Sequence, residues 1–117
     1  MTNDTRIARL QRLAELVKQA DLAELAMKLS AREQTAQRLA ALGEPPTLSR
    51  HPRIEEVTPV QKHAQWHFNR RVELNRTLAL QTAECLQSRD RALRAVGRAG
   101  ALEKLAHRLS RDMDKSW

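Results

Sequence analysis

All four prolines of this 117-residue chain, Pro45, Pro46, Pro52 and Pro59, fall between positions 45 and 59. Proline lacks the backbone N–H and clashes with the preceding turn, so helix interiors exclude it. Their clustering leaves two long stretches, one on either side, in which nothing forbids a continuous helix. The residues in those stretches agree with that reading. Aromatic residues make up 3% of the chain, Tyr is absent, and the 41% hydrophobic content is mostly Ala and Leu. A compact core of this size normally uses more Phe, Ile and Val. A two-helix seam needs only one apolar stripe per helix, which Leu and Ala can fill.

The first helix is predicted over 4–42, with Thr2, Asn3 or Asp4 as its cap and Gly43 ending it. Leu10, Leu13, Val17 and Ala20 recur at three- and four-residue steps, and Leu22, Leu25, Leu29, Ala36 and Leu39 continue in a shifted phase. The shift means that the apolar stripe slides around the helix. Residues 43–58 form a proline-rich connection, longer than most hairpin loops. The second helix is predicted over 59–114. Thr58 suits its N-cap, Pro59 its first position, and Gln61 the far corner of a capping box. Phe68, Val72, Ala79, Ala83, Leu86, Leu93 and Val96 form one stripe, and Leu102, Leu105, Leu109 and Met113 another. Gly97 and Gly100 lie between them, each costing roughly 1 kcal/mol relative to Ala, and mark a bend or weak point.

The fold class that follows is all-α: a long antiparallel two-helix coiled-coil hairpin, one domain over 1–117. At 1.5 Å per residue the helices span about 58 Å and about 83 Å. Pairing Leu42 with Pro59 places Arg6 near Leu93 to Val96. Residues 98–117 then overhang as an unpartnered amphipathic segment that folds back, dimerises or receives a partner. Leu22, Leu25, Leu29 and Val72 are expected to be buried in the seam.

The net charge is +7, from 21 Lys and Arg against 14 Asp and Glu. Residues 59–117 hold twelve basic and six acidic groups, so the excess sits on the second helix. Such a balance implies an acidic partner. Nucleic-acid binding is expected to be weak at most, because carboxylates interrupt the basic residues and no aromatic platform accompanies them. The single cysteine, Cys85, precludes an internal disulfide and fits a reducing cytoplasm. No run approaches the ~20 apolar residues of a membrane span.

Signs of chemistry are sparse. His63 and His67 have the four-residue spacing of metal ligands, but no third ligand accompanies them in a recognisable pattern. Two histidines beside Trp66 and Phe68, without a metal, are the plainer reading. No serine lies in a nucleophile motif, and Gly97 and Gly100 do not form a phosphate loop. A non-enzymatic protein without catalytic, cofactor or metal residues is expected. Trp66, His67 and Phe68 either plug the closed end of the hairpin or form a recognition patch, since Trp is enriched at binding hot spots. Trp117, a single residue at a fraying end, carries little weight.

The stretches Gln65-Trp66 with Arg70-Arg71, Leu74-Asn75-Arg76-Thr77-Leu78-Ala79, and Val96-Gly97-Arg98-Ala99 with Ala101-Leu102-Glu103-Lys104-Leu105 resemble the flagellar FliJ and type III secretion YscO stalk family, in particular its alphaproteobacterial FliJ-like members. The resemblance covers about residues 60–110. It implies an antiparallel coiled-coil stalk or adaptor of a bacterial protein-export apparatus. Such a protein contacts the export ATPase, the export gate or export chaperones, in the cytoplasm or at the membrane-associated apparatus. This chain departs from the pattern in being shorter and in its proline-rich connection. The apolar stripe and basic flanks of the overhang, with the Trp of the candidate recognition patch, give as expected partner-binding residues Arg98, Leu102, Leu105, Arg108, Leu109, Arg111, Met113 and Trp66. The alternatives are a small basic nucleic-acid-associated helical protein, or a generic scaffold that forms a homodimer through residues 98–117.

Overall fold

The structure, a computed structural model, describes residues 3–115. It consists of two helices, α1 (Asn3–Leu42) and α2 (Ile54–Lys115), joined by an irregular connection, with no strand among the described residues. The fold is the all-α antiparallel helical hairpin that the proline clustering predicts. The candidate cap Thr2 and the terminal Trp117 lie outside the described residues.

α1 ends as its sequence dictates. Gly43 takes φ 68°, in the left-handed region that side chains disfavour, and its N–H donates to Ala40 O at 3.2 Å. α2 begins earlier than the Thr58-Pro59 signature predicts. Its first residue is Ile54, its first turn carries Glu55 and Glu56, and Pro59 lies inside the helix. The two carboxylates favour an N-terminus there, because they face the positive end of the helix dipole. Pro59 is tolerated near the start because it removes only one intrahelical bond, the one its N–H would have donated to Glu55. α2 is continuous through Gly97 and Gly100.

Contacts divide the chain into two compact units, each pairing a length of α1 with a length of α2. The terminal unit is Met1–Lys28 with Glu84–Trp117, and the connection unit is Leu29–Ala83. In the terminal unit Lys28 Nζ meets Glu84 Oε2 at 3.3 Å and Arg91 Nη1 meets Glu24 Oε1 at 3.7 Å. Further along, Asp4, Ile7 and Gln11 line one groove with Ala106, Leu109, Ser110 and Met113. In the connection unit Arg32 Nε donates to Thr82 Oγ1 at 2.8 Å. The Gly43 carbonyl accepts from His67 Nε2 at 3.1 Å and from Arg71 Nη2 at 2.7 Å.

This register corrects the expected one. Leu42 does not approach Pro59. Gly43 faces His67 and Arg71, and Ile7 faces Ala106 and Leu109. The C-terminal segment is therefore partnered by the start of α1, and Leu102, Ala106 and Leu109 are half-buried. The portion of α2 beyond the end of α1 is instead its beginning, residues 54–66. Thirteen residues rise about 20 Å. The connection, 43–53, can span about 35 Å when extended. Three prolines keep that connection extended, so the chain cannot turn back at once.

The seam obeys a heptad. On α1 the half-buried and buried positions include Ile7, Ala14, Asp21, Lys28, Thr35 and Leu42, with Gln11, Lys18, Leu25, Arg32 and Leu39 between them. On α2 the matching three- and four-residue steps run from His67 to Leu109, all half-buried or buried except Arg71, and the same phase continues through Val57, Val60 and Ala64 beyond the end of α1. Leu74, Cys85, Ala92 and Ala95 are buried, as are His67 and Ser88. From Cys85 to Ala99 every seam residue of α2 is small: Cys85, Ser88, Ala92, Ala95 and Ala99. Long polar side chains on α1, such as Lys18 and Lys28, can lay their stems along so flat a face while their charged ends reach water.

Candidate interaction surface

The seam uses a largely polar face of α1 and, between Cys85 and Ala99, a face of small residues on α2. Leu22 is 42% exposed, Leu29 48% and Val72 41%, so three of the four expected seam residues face outward, while Leu25 is half-buried. The stripe Leu10, Leu13 and Val17 on α1 is exposed, as are Phe68, Val72, Leu86, Leu93 and Val96 on α2. The physical reason lies in the number of elements. A two-helix pair covers only one narrow strip of each helix, and both helices carry two overlapping heptad stripes. The strip that pairs joins the small face Cys85–Ala99 to the Lys18–Lys28 stretch and gains the Lys28–Glu84 and Glu24–Arg91 ion pairs. The strips that remain open hold the larger side chains.

In the terminal unit the open flanks form a groove of about 450 Å³ lined by Leu10, Leu13, Ala14, Val17, Ala95, Arg98, Ala101 and Leu102. All but Arg98 are apolar. α1 supplies the tall wall, with Leu13 at 59% exposure. α2 supplies a low wall, because Ala95 and Ala101 leave room for an incoming backbone. On the same unit Gln11, Gly100, Glu103, Lys104, His107, Arg108 and Arg111 line a broader and more polar depression.

The expected partner-binding residues are distributed as follows. Arg98 and Leu102 line the apolar groove. Leu105, seven residues from Arg98, stands exposed on the same side of α2. Leu109 and Met113 line the groove that holds Ile7, and Leu109 is half-buried by the pairing. Arg108 and Arg111 line the polar depression. Trp66 belongs to the connection unit, where it is exposed and its ring lies 6.0 Å from that of His63. Leu10, Leu13 and Val17 were absent from that expectation because their periodicity also fits a seam.

The two histidines stand in different environments, with His63 exposed beside Trp66. His67 is buried and its Nε2–H is committed to the Gly43 carbonyl, where with Arg71 it fastens the C-terminus of α1. Among the described residues no group of three or more His, Cys, Asp or Glu could hold a metal ion. Cys85 is a buried free thiol within the seam. No helix of the structure is long and apolar enough to cross a membrane.

Comparison with known proteins finds no matching family model, no similar curated protein and no similar solved structure.

Proposed function

We propose that this chain is a non-enzymatic coiled-coil adaptor or stalk of a bacterial flagellar or type III protein-export apparatus, docking the export ATPase or export chaperones through its open helix flanks. The observation that carries the docking part is the exposure of Leu10, Leu13, Val17, Leu86, Leu93 and Val96, while the α2 seam between Cys85 and Ala99 holds only Cys, Ser and Ala. Contiguous exposed apolar surface rimmed by polar residues marks interaction sites. The export-apparatus part rests on the residue resemblance over about 60–110, and the long helical hairpin is compatible with it. An assignment to contact rather than catalysis is supported by where the reactive side chains are used. Cys85 and Ser88 pack in the seam, and His67 fastens a helix end.

The test is direct binding. The purified chain is titrated into the purified export ATPase, and separately into export chaperones, encoded by the same genome, with sedimentation velocity as the readout. A complex of micromolar affinity or tighter with either is expected. Absence of a complex with all of them, from a chain whose circular dichroism shows it helical, removes the export assignment.

A further inference from the structure

We propose that the apolar groove of the terminal unit is a receptor for one acidic amphipathic helix of another protein. This inference shares with the functional reading only the premise that the chain works by contact, and it stands whether or not the partner belongs to an export apparatus.

The groove floor and walls set the apolar half of the recognition. Leu10, Leu13 and Val17 rise on one side, and Ala95 and Ala101 form a low wall opposite. That shape accepts large side chains at the three- and four-residue spacing of a helix stripe, as in other helix-in-groove recognition. A docked helix would complete a three-helix arrangement, covering the second heptad stripe of α1 that the hairpin leaves open.

The rim sets the charge of the occupant. Arg98 lines the groove. Arg94 lies seven residues from the groove residue Ala101, and Arg6 lies seven from Leu13, so both share the groove side of their helices. All three are exposed, and none belongs to an ion pair found among the described residues. On the α1 side Glu24 is already held by Arg91, and Asp21 sits half-buried in the seam. Three guanidinium groups beside an apolar floor call for a partner helix with carboxylates flanking its apolar stripe. A second copy of the chain is a poor occupant. A two-fold contact, groove against groove, would bring Arg94 and Arg98 of one copy against those of the other.

The test uses the full chain and three synthetic peptides of three heptads. All carry a fluorophore. The first has Leu on the stripe and Glu on the flanks. The second has Lys in place of Glu, and the third has Gln in place of Leu. The Leu/Glu peptide is expected to bind, and the other two at least tenfold more weakly. Leu13→Asp should weaken the Leu/Glu peptide at least tenfold. The double variant Arg94→Glu with Arg98→Glu should do the same and shift preference to the Leu/Lys peptide. Both changes lie at exposed positions, and circular dichroism confirms folding. Trp66→Ala, on the other unit, should leave binding unchanged. Equal binding of the Glu and Lys peptides, or insensitivity to the groove variants, overturns the proposal. So does a dimer in sedimentation velocity that Leu13→Asp converts to monomer, which would give the groove to a second copy. Peptide binding with no complex to export ATPase or chaperones would overturn the functional assignment while leaving the groove assignment in place.

Discussion

Leu74 and Leu29 carry the same side chain on opposite sides of the packing problem. Leu74 is 5% exposed and Leu29 48%. Placing a carboxylate at Leu74 removes buried apolar volume and strands a charge in the seam, so Leu74→Asp should cost about 3 kcal/mol or more. Leu29→Asp, at a position open to water, should change stability by less than about 1 kcal/mol. Urea denaturation of the two variants gives the comparison, and equal losses would mean that Leu29 is covered and the register is different. The sequence did not disclose this difference. Both leucines sit in good apolar stripes, and hydrophobicity alone favours Leu22, Leu25 and Leu29 as the seam. What decides against Leu22 and Leu29 is a long-range match that no local pattern contains: Arg32 to Thr82, Lys28 to Glu84, and the Gly43 carbonyl to His67 and Arg71. Gly43 itself was legible, because a left-handed residue after the last apolar position of a helix is commonly glycine.

At the scale of the element, the existence and order of the helices follow from proline placement, but the start of α2 does not. The Thr58-Pro59-Gln61 signature competes with Glu55 and Glu56 in an earlier first turn, and the earlier start gains an extra turn of helix at the loss of one bond at Pro59. If α2 begins at Ile54, Thr58 is an interior residue and not a cap. Thr58→Ala should then be neutral or slightly stabilising, since Ala is the better helix former. A loss of about 1 kcal/mol in thermal or urea melts, the usual value of a cap, would return the start to Thr58. The end of α2 leads to a second prediction. Because Leu102, Ala106 and Leu109 pair with the beginning of α1, deleting residues 98–117 should remove more helix than the deleted residues contain. The first three turns of α1 lose their partner, and isolated helices of that length are marginal in water. Far-ultraviolet circular dichroism should show a helix loss larger than that of the excised segment, whereas a proportionate loss would restore the free overhang that the sequence suggested.

For the whole molecule, charge is the property that acts without a specific site. The excess of seven positive charges will attract any polyanion. Yet in both units basic residues alternate with acidic ones, and several of each are paired within the chain. Binding to duplex DNA or RNA should therefore be weak and indifferent to sequence. If about four phosphates are neutralised, counterion release lowers affinity on the order of a hundredfold between 50 and 200 mM salt. Fluorescence anisotropy with two unrelated duplexes across that range gives both the slope and the selectivity. Tight binding that survives 200 mM salt and prefers one duplex would make nucleic acid the physiological partner. The same salt series separates the two kinds of acidic ligand. A Leu/Glu helix held in the groove gains apolar burial against Leu10, Leu13 and Val17, which salt does not screen, so its affinity should fall much less steeply than that of DNA. Parallel slopes for the two ligands would mean that the groove contributes charge alone and that its apolar floor is not used.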